Sequence, residues 1–530
     1  MKSYKLFLIV LTGLFLFLDS CTDFLNKPPQ TSLTADQVFS SVTNLDPFIM
    51  GLYTKWRSTR VDRGGFYFMM GTDEAKQGII QTQNTDQGAL DRYDAFLVPS
   101  NSAVSAKWTE RWPIVSGAAQ AIQGLLKVSD LSDQQKELLG EASFIRAAVD
   151  FELTQYWGAI PIMDYDKIDQ LGTARQPLSD VYTFIEADLQ RAIQYLPETQ
   201  TDPRRATKWI AQALLGKLYL YADANSGFRD YQKASDAFLV VINSGQFGLA
   251  PSFSTLFDPA QQGSSGYNSE VIYAFQFTNI RGDNNICEWQ MGSRALASMT
   301  NPTALIWYSG YDLMLPTSYC YSSVDSAGIW EAGDSRRAES IRYTFDYTDT
   351  IPSVGVSVAY GGVATLPAYN GGDELDPHVK KYEDVRTNGW GSSPWFSGKN
   401  IAYIRYADVL LCYAECLNEL GNTTQALAYV NLVRRRAFGD TSHNWRSLTQ
   451  DQFRTQLLDE RMRELCFEGW RHMDLVRTGN FVNYVKERNP WANASGTIDQ
   501  HNTLYPIPQS EILQNPDITV EDQNPGYPNQ

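Results

Sequence analysis

Tyr406-Ala407-Asp408-Val409-Leu410-Leu411-Cys412-Tyr413-Ala414-Glu415-Cys416-Leu417-Asn418-Glu419-Leu420-Gly421-Asn422 is the stretch that decides the fold class. Tyr406, Leu410, Tyr413, Leu417 and Leu420 recur at alternating steps of four and three, the spacing of one face of an α-helix. Gly421-Asn422 ends that stripe, because both residues tolerate the left-handed backbone that closes a helix. Residues 424–437 then read as a returning helix. Two helices joined by a short turn, with small residues where they cross, form the supersecondary unit of tetratricopeptide-like repeats.

Working outward, residues 136–157, 180–196, 207–224 and 231–243 read as further amphipathic helices. Tyr231, Ala234, Phe238 and Val241 make the stripe of the last, and Asn225-Ser226-Gly227 breaks the chain before it. Residues 35–57 and 103–128 also have helical texture. Between 246 and 400 glycines and prolines recur, and strand-like runs appear at 271–277 and 353–360. That segment is too long for a plain loop and too aromatic for disorder, and irregular segments on a rigid scaffold are where binding sites concentrate. The expected fold is mainly α: tetratricopeptide-like helix pairs with a long, loop-rich, partly β excursion. One domain is expected over 21–530, made of an N-terminal helical part (22–245), the excursion (246–400) and a C-terminal helical part with its tail (401–530). The tail after Asn489, rich in Pro and Asn, is expected to wrap the surface.

The N-terminus has the make-up of an export signal. Lys2 and Lys5 precede an apolar run over 6–18, and Leu18-Asp19-Ser20-Cys21 follows. The run is too short for a spanning helix. Cys21 stands where a bacterial lipoprotein carries its lipidated residue, although Asp19 departs from the small or apolar residue more usual there. The alternative is an ordinary secretory signal with an incidental cysteine. No second apolar stretch of spanning length follows in the sequence. The 44 basic and 60 acidic residues give a net charge of −16. Such a surface lacks the basic face that nucleic acid requires, and without a covalent anchor nothing draws it to anionic headgroups. Cys287, Cys320, Cys412, Cys416 and Cys466 show no metal-like spacing and no disulfide framework. Cys412 and Cys416, one turn apart, suit two buried thiols. No cofactor is expected. Calcium is left open, because Asp373-Glu374 with Asp376 supplies oxygens but no recognised ligand loop.

Several segments together resemble the SusD/RagB family. Thr22-Asp23-Phe24-Leu25 with Pro28-Pro29 is similar to its mature N-terminus. Phe144-Ile145-Arg146-Ala147 and Tyr156-Trp157-Gly158-Ala159-Ile160-Pro161 resemble its first long motif, and residues 206–221 its next helix. Arg405-Tyr406-Ala407-Asp408-Val409-Leu410-Leu411 with Ala414-Glu415 is close to its most recognisable stretch. Glu460-Arg461, Glu468-Gly469, Arg471 and Asp474-Leu475 resemble a later motif. Leu504-Tyr505-Pro506-Ile507-Pro508 and Gln523-Asn524-Pro525-Gly526-Tyr527 resemble the closing ones. The matches follow the family's order from Cys21 to Tyr527. The resemblance implies a lipid-anchored lid, facing the exterior of a Bacteroidetes-like outer membrane. The lid would capture an oligosaccharide and hand it to a SusC-like TonB-dependent transporter without chemistry of its own. Peptide capture, as in RagB-like relatives, or a pure scaffold role are the alternatives inside the family.

Catalytic patterns are few. His378, His443, His472 and His501 are scattered, without a metalloprotease-like pair, and no nucleophile elbow or phosphate loop appears. A surface glycosidase needs two facing carboxylates, for which Asp73-Glu74 and Glu374 with Asp376 are the first candidates. Glu460, Glu464 and Glu468 read as one turn apart on a helix, interleaved with Arg461, Arg463 and Arg471. That pattern is an ion-pair network, as is Arg405 with Asp408. For binding, 13 Trp and 29 Tyr are abundant. A flat aromatic meets the C–H face of a sugar, while amides and Arg take its hydroxyls. The excursion offers Trp289, Trp307, Tyr308, Tyr311 and Trp330, with Asn284 and Arg294. The resemblance adds the N-terminal third, with Arg63, Tyr67, Asp73 and Asn84. Tyr273, Phe275 and Phe277 are read as strand packing, and Trp108 and Trp112 as core.

Overall fold

A computed structural model describes residues 38–528 apart from 40, 62, 67–68, 80, 82–84, 165–169, 171, 294–309, 347–356, 360–372, 374–375 and 385–395. The longer helices are α1 (Val42–Ser58), α2 (Trp112–Leu126), α3 (Asp133–Trp157), α4 (Leu178–Tyr195), α5 (Lys208–Tyr221), α6 (Tyr231–Asn243), α7 (Tyr406–Glu419), α8 (Thr423–Phe438) and α9 (Gln450–Leu465). The strands are β1 (Ala75–Gln77), β2 (Val271–Phe275), β3 (Met314–Pro316), β4 (Ile341–Arg342), β5 (Thr344–Asp346), β6 (Ser357–Ala359), β7 (His378–Val379) and β8 (Ile401–Arg405). They pair antiparallel as β1–β3, β2–β8, β4–β7 and β5–β6. The fold is mainly helical, as read from the sequence. No helix among the described residues is long and apolar enough to cross a membrane.

α3 is the spine. A capping box between Ser132 and Gln135 starts it, and every residue from Leu138 to Trp157 is buried. A helix buried on all sides must be wrapped by others. α1, α2 and α4 do this, after which the pairs stack in order: α4 on α5, α5 on α6, α6 on α7, and α7 on both α8 and α9. The helical texture of 103–128 resolves into two helices, Ser102–Thr109 and α2. Pro113 sits in the first turn of α2, where its missing N–H costs nothing. Arg111, at the break, is buried and paired with Glu152 at 3.2 Å.

The chain leaves the helical stack after α6 and rejoins it at α7, so the excursion must be closed at its base. β2 and β8 close it, pairing Val271 with Arg405 and Phe275 with Ile401. Trp56 of α1 packs against both strands. Its ring stacks on Tyr273 at 5.8 Å and meets Phe275 at 4.8 Å and Tyr403 at 5.1 Å edge-on. Its Nε1 donates to Glu152 at 3.1 Å. The strand-packing reading of Tyr273 and Phe275 holds, since both are buried on β2, while Phe277 is buried just beyond the strand's end.

β8 ends on Arg405, the residue that caps α7. Its buried guanidinium donates to Glu270 at 2.6 Å, to Glu464 at 2.8 Å and to both oxygens of Glu468 at 2.8 Å. Lys381 (2.9 Å) also holds Glu468, and Arg436 (2.5 Å) and Arg336 (3.1 Å) also hold Glu464. Burial would raise the Glu460 carboxyl, yet Arg336, Arg434 and Arg463 hold it down at about 2. α9 ends at Leu465, and Cys466 is extended. Glu468 is therefore off the helix, contrary to the one-turn spacing read from sequence, and reaches the network from the following turn. A second buried set joins Asp408 to Lys217 (2.6 Å) and Arg461 (2.9 Å), and Arg461 to Asp474 (2.8 Å). The five cysteines after Cys21 are buried and free.

The tail does not simply wrap the surface. Tyr505 and Ile507 lie in the core. Tyr505 N donates to Tyr156 O at 2.8 Å, Trp157 Nε1 to Pro506 O at 3.1 Å, and Asn524 Nδ2 to Trp157 O at 3.0 Å. The end of a helix exposes carbonyls that need donors, and the closing segments supply them to α3.

Two consequences are measurable. Replacing Arg405 by Met leaves Glu464, Glu468 and Glu270 short of a buried partner, and breaking such a pair costs about 3–5 kcal/mol. Denaturant unfolding of R405M should show that loss, and a change below about 1 kcal/mol would remove the network from this role. His472 is buried between Tyr156, Phe481 and Tyr505, and burial pushes its imidazole down to about 3. A depressed His contributes stability that is present above its unfolded value near 6.5 and is lost as pH falls. Between pH 6.5 and 5 the wild type should therefore lose stability relative to H472F. Parallel curves for the two proteins would contradict the buried neutral imidazole.

Candidate functional site

β1 and β3 pair Ala75 with Pro316, Lys76 with Leu315 and Gln77 with Met314, which sets the N-terminal third against the excursion. Two glycines make the approach possible. A Cβ on Gly78 would stand 2.2 Å from Asp312 O, and one on Gly310 would stand 1.8 Å from the Gly292 carbonyl. Neither position admits a side chain.

On this frame Trp289 and Tyr311 pack ring against ring in a tilted pair, with centroids 4.6 Å apart and planes 30° apart, both half-buried. The backbone around them is held tightly. Leu313 N donates to Gln290 O at 2.8 Å, Asp312 N to Gly292 O at 3.0 Å, and Gly78 N to Asp312 O at 3.2 Å. Gln81 Nε2 donates to Tyr311 O at 2.8 Å. Asp312 has a φ of +51°, a left-handed conformation that Asp tolerates better than most residues. His378 Nε2 lies 3.0 Å from its Oδ1. Gln81, Asp312 and His378 were not singled out from the sequence, because only pairing across long separations brings them together.

Of the residues read as candidates, the structure brings Trp289 and Tyr311 together. Asn284 lies nearby in sequence and is half-buried in a turn, where its Oδ1 accepts from Gly282 N at 3.0 Å. Two candidates are corrected. Trp330 is wholly buried and its indole N–H is used on Cys320 O at 2.6 Å, so it is a core residue and not a stacking surface. Asp73 is also wholly buried. Both its oxygens take Arg471 at 2.7 Å, and Arg488 adds a contact at 3.1 Å. Its carboxylate therefore braces β1 against the C-terminal part. Arg63 opens a short 3-10 turn, Arg63–Phe66, with its side chain outside the described residues. Tyr67, Asn84, Arg294, Trp307 and Tyr308 also lie outside them, as does Glu374.

Of the carboxylates read as possible acid–base pairs, Asp73 and Glu74 are buried and Glu374 lies outside the described residues. Asp73 is an ion-pair member, and burial raises the Glu74 carboxyl well above its usual range. Asp373 holds Lys76 at 2.5 Å and the Ile79 N–H at 3.0 Å. Among the described residues no group of three or more His, Cys, Asp or Glu is placed to hold a metal ion.

Comparison with known proteins gives this architecture a context. Residues 315–527 match the family model described as the SusD family, and residues 23–220 match one described as starch-binding associating with outer membrane. SusD-like protein P2 of Formosa agariphila is 30% identical, over 99% of this chain and 100% of its own. A SusD homologue of solved structure from Bacteroides thetaiotaomicron aligns with a TM-score of 0.75 at 21% identity, covering 94% of this chain and 99% of its own. A laminarin binding SusD-like protein aligns with a TM-score of 0.70 at 23% identity, covering 92% and 99%. On this similarity, which runs nearly end to end, the chain belongs to the SusD/RagB family.

Proposed function

We propose that this protein captures neutral oligosaccharide on the outside of an outer membrane and passes it, unaltered, to a SusC-like TonB-dependent transporter. The observation that carries the reading is the half-buried Trp289–Tyr311 pair, fixed where the N-terminal third meets the excursion. A sugar ring places its C–H face on such an aromatic surface and spends its hydroxyls on flanking polar groups. The binding described for starch- and laminarin-binding members of the family supports the same chemistry here. Lack of catalysis follows the family's glycan-binding members, and Asp73 is committed to Arg471 and Arg488. Attachment is through lipidated Cys21. Several acyl chains at about 0.8 kcal/mol per buried methylene would hold the lid beside its transporter.

Titration with a panel of neutral gluco-oligosaccharides, laminarin-derived chains first, tests the reading when run beside a reducing-end assay. Saturable binding without new reducing ends is expected. The double variant W289A/Y311A should bind about 10- to 100-fold more weakly, since two aromatic faces contribute roughly 0.5–1.5 kcal/mol each. Equal affinity in that variant would move the site elsewhere, and released reducing ends would make the protein a glycosidase.

A further inference from the structure

The spacing of the five cysteines after Cys21 announces no pair, but the fold makes one. Cys320 lies on the short helix Ser318–Tyr321 just after β3, and Cys466 stands where α9 ends. Both are wholly buried, both are free thiols in the structure, and the side chain of each is a hydrogen-bond partner of the other. Two segments far apart in the chain are held together to make this contact. Glu74, just before β1, binds both: its carbonyl accepts from Thr317 N at 3.0 Å, and its carboxyl accepts from Phe467 N. Thr317 Oγ1 donates to Asp73 O at 2.5 Å and accepts from Cys320 N at 3.2 Å. Trp330 Nε1 holds Cys320 O at 2.6 Å, and Lys381 Nζ holds Cys466 O at 2.8 Å. Each cysteine is thus fixed through its backbone, independently of its sulfur.

The two sulfurs are not equivalent. Burial raises the Cys320 thiol, and its bond to Cys466 raises it further. Burial works the same way on Cys466, but the bond from Cys320 and the Lys381 ammonium outweigh it and hold that thiol below its ordinary value. One sulfur therefore leans to the thiolate while the other keeps its proton, which is the division of roles that thiol–disulfide exchange uses. Burial leaves Cys287, Cys412 and Cys416 raised, as inert thiols.

We infer that Cys320 and Cys466 close into a disulfide, which ties β3, and the segment carrying Tyr311 before it, to the end of α9. The inference rests on the export reading above, because thiols stay reduced in a cytosol and are oxidised outside it. The oxidant is a second disulfide, of an oxidase or of glutathione. The Cys466 thiolate attacks one of its sulfurs and expels a thiolate, which takes the Cys320 proton. The Cys320 sulfur then attacks Cys466 and expels the second thiolate, so that two electrons pass to the oxidant. Exchange takes place before the segments close, since both sulfurs are inaccessible afterwards. The test is to denature the chain recovered from the outer membrane in an alkylating reagent and measure the masses of its peptides. Three of the five cysteines should be alkylated, with the peptides of Cys320 and Cys466 joined. Dithiothreitol should release the link and lower the urea midpoint of the wild type, and should leave the midpoint of C320S unmoved. A second sample, reduced, unfolded and refolded in a glutathione redox buffer, separates the pair from the compartment. Five alkylated cysteines in the recovered chain, with the link formed on refolding, would keep the pair and overturn the export reading. Five in both samples, or a link to any other cysteine, would overturn the pair.

Discussion

Arg405 stands where the excursion returns to the helical stack, and its guanidinium reaches three carboxylates from two distant parts of the chain. Glu270 immediately precedes β2, Glu464 is on α9, and Glu468 follows that helix. A buried ion set of this kind adds little over a well-packed apolar core, because desolvation offsets most of the attraction. Its force lies in being costly when incomplete. Every partner must arrive, so the base of the excursion and the C-terminal helices have a single arrangement in which all charges are met. Because Arg405 stands at the start of α7, which packs on α6, that arrangement ties the base of the excursion to the helical stack.

The same logic of complete pairing fixes the region of the Trp289–Tyr311 pair. Asp73 and Arg471 are 398 residues apart in sequence, and their two short bonds hold β1 against the segment after α9. β1 in turn holds β3, and the segment just before β3 carries Tyr311 against Trp289. A binding surface held this way needs little ordering when a ligand arrives, which lowers the entropic cost of capture. The closing segments of the chain perform a similar service at the far end of α3, where Tyr505 and Asn524 satisfy its last carbonyls.

Much of this was legible in the sequence because it is periodic. The stripes over 136–157 and 231–243 and the hairpin after Tyr406 mark helices that bury one face or all of it, and the structure places α3, α6, α7 and α8 there. The ion-pair reading of Glu460, Glu464 and Arg405 also followed from local spacing and charge. Individual site residues were less legible. Trp330 sits in a Gly-rich stretch that reads as surface, but its burial depends on the distant packing of the excursion. Asp73 reads as a free carboxylate until its partner, far along the chain, is brought to it. Periodicity reports which face of an element is apolar. It says nothing of which distant element will cover an isolated aromatic or charge.

Native-state hydrogen exchange across the β2–β8 base tests the central claim most directly. If the Arg405 network joins the excursion to the helical stack, the paired amides of β2 and β8 should open with the same free energy as those of α5 and α7, as one cooperative unit. Exchange of the β2–β8 amides at a clearly lower free energy, with α5 and α7 still protected, would contradict it.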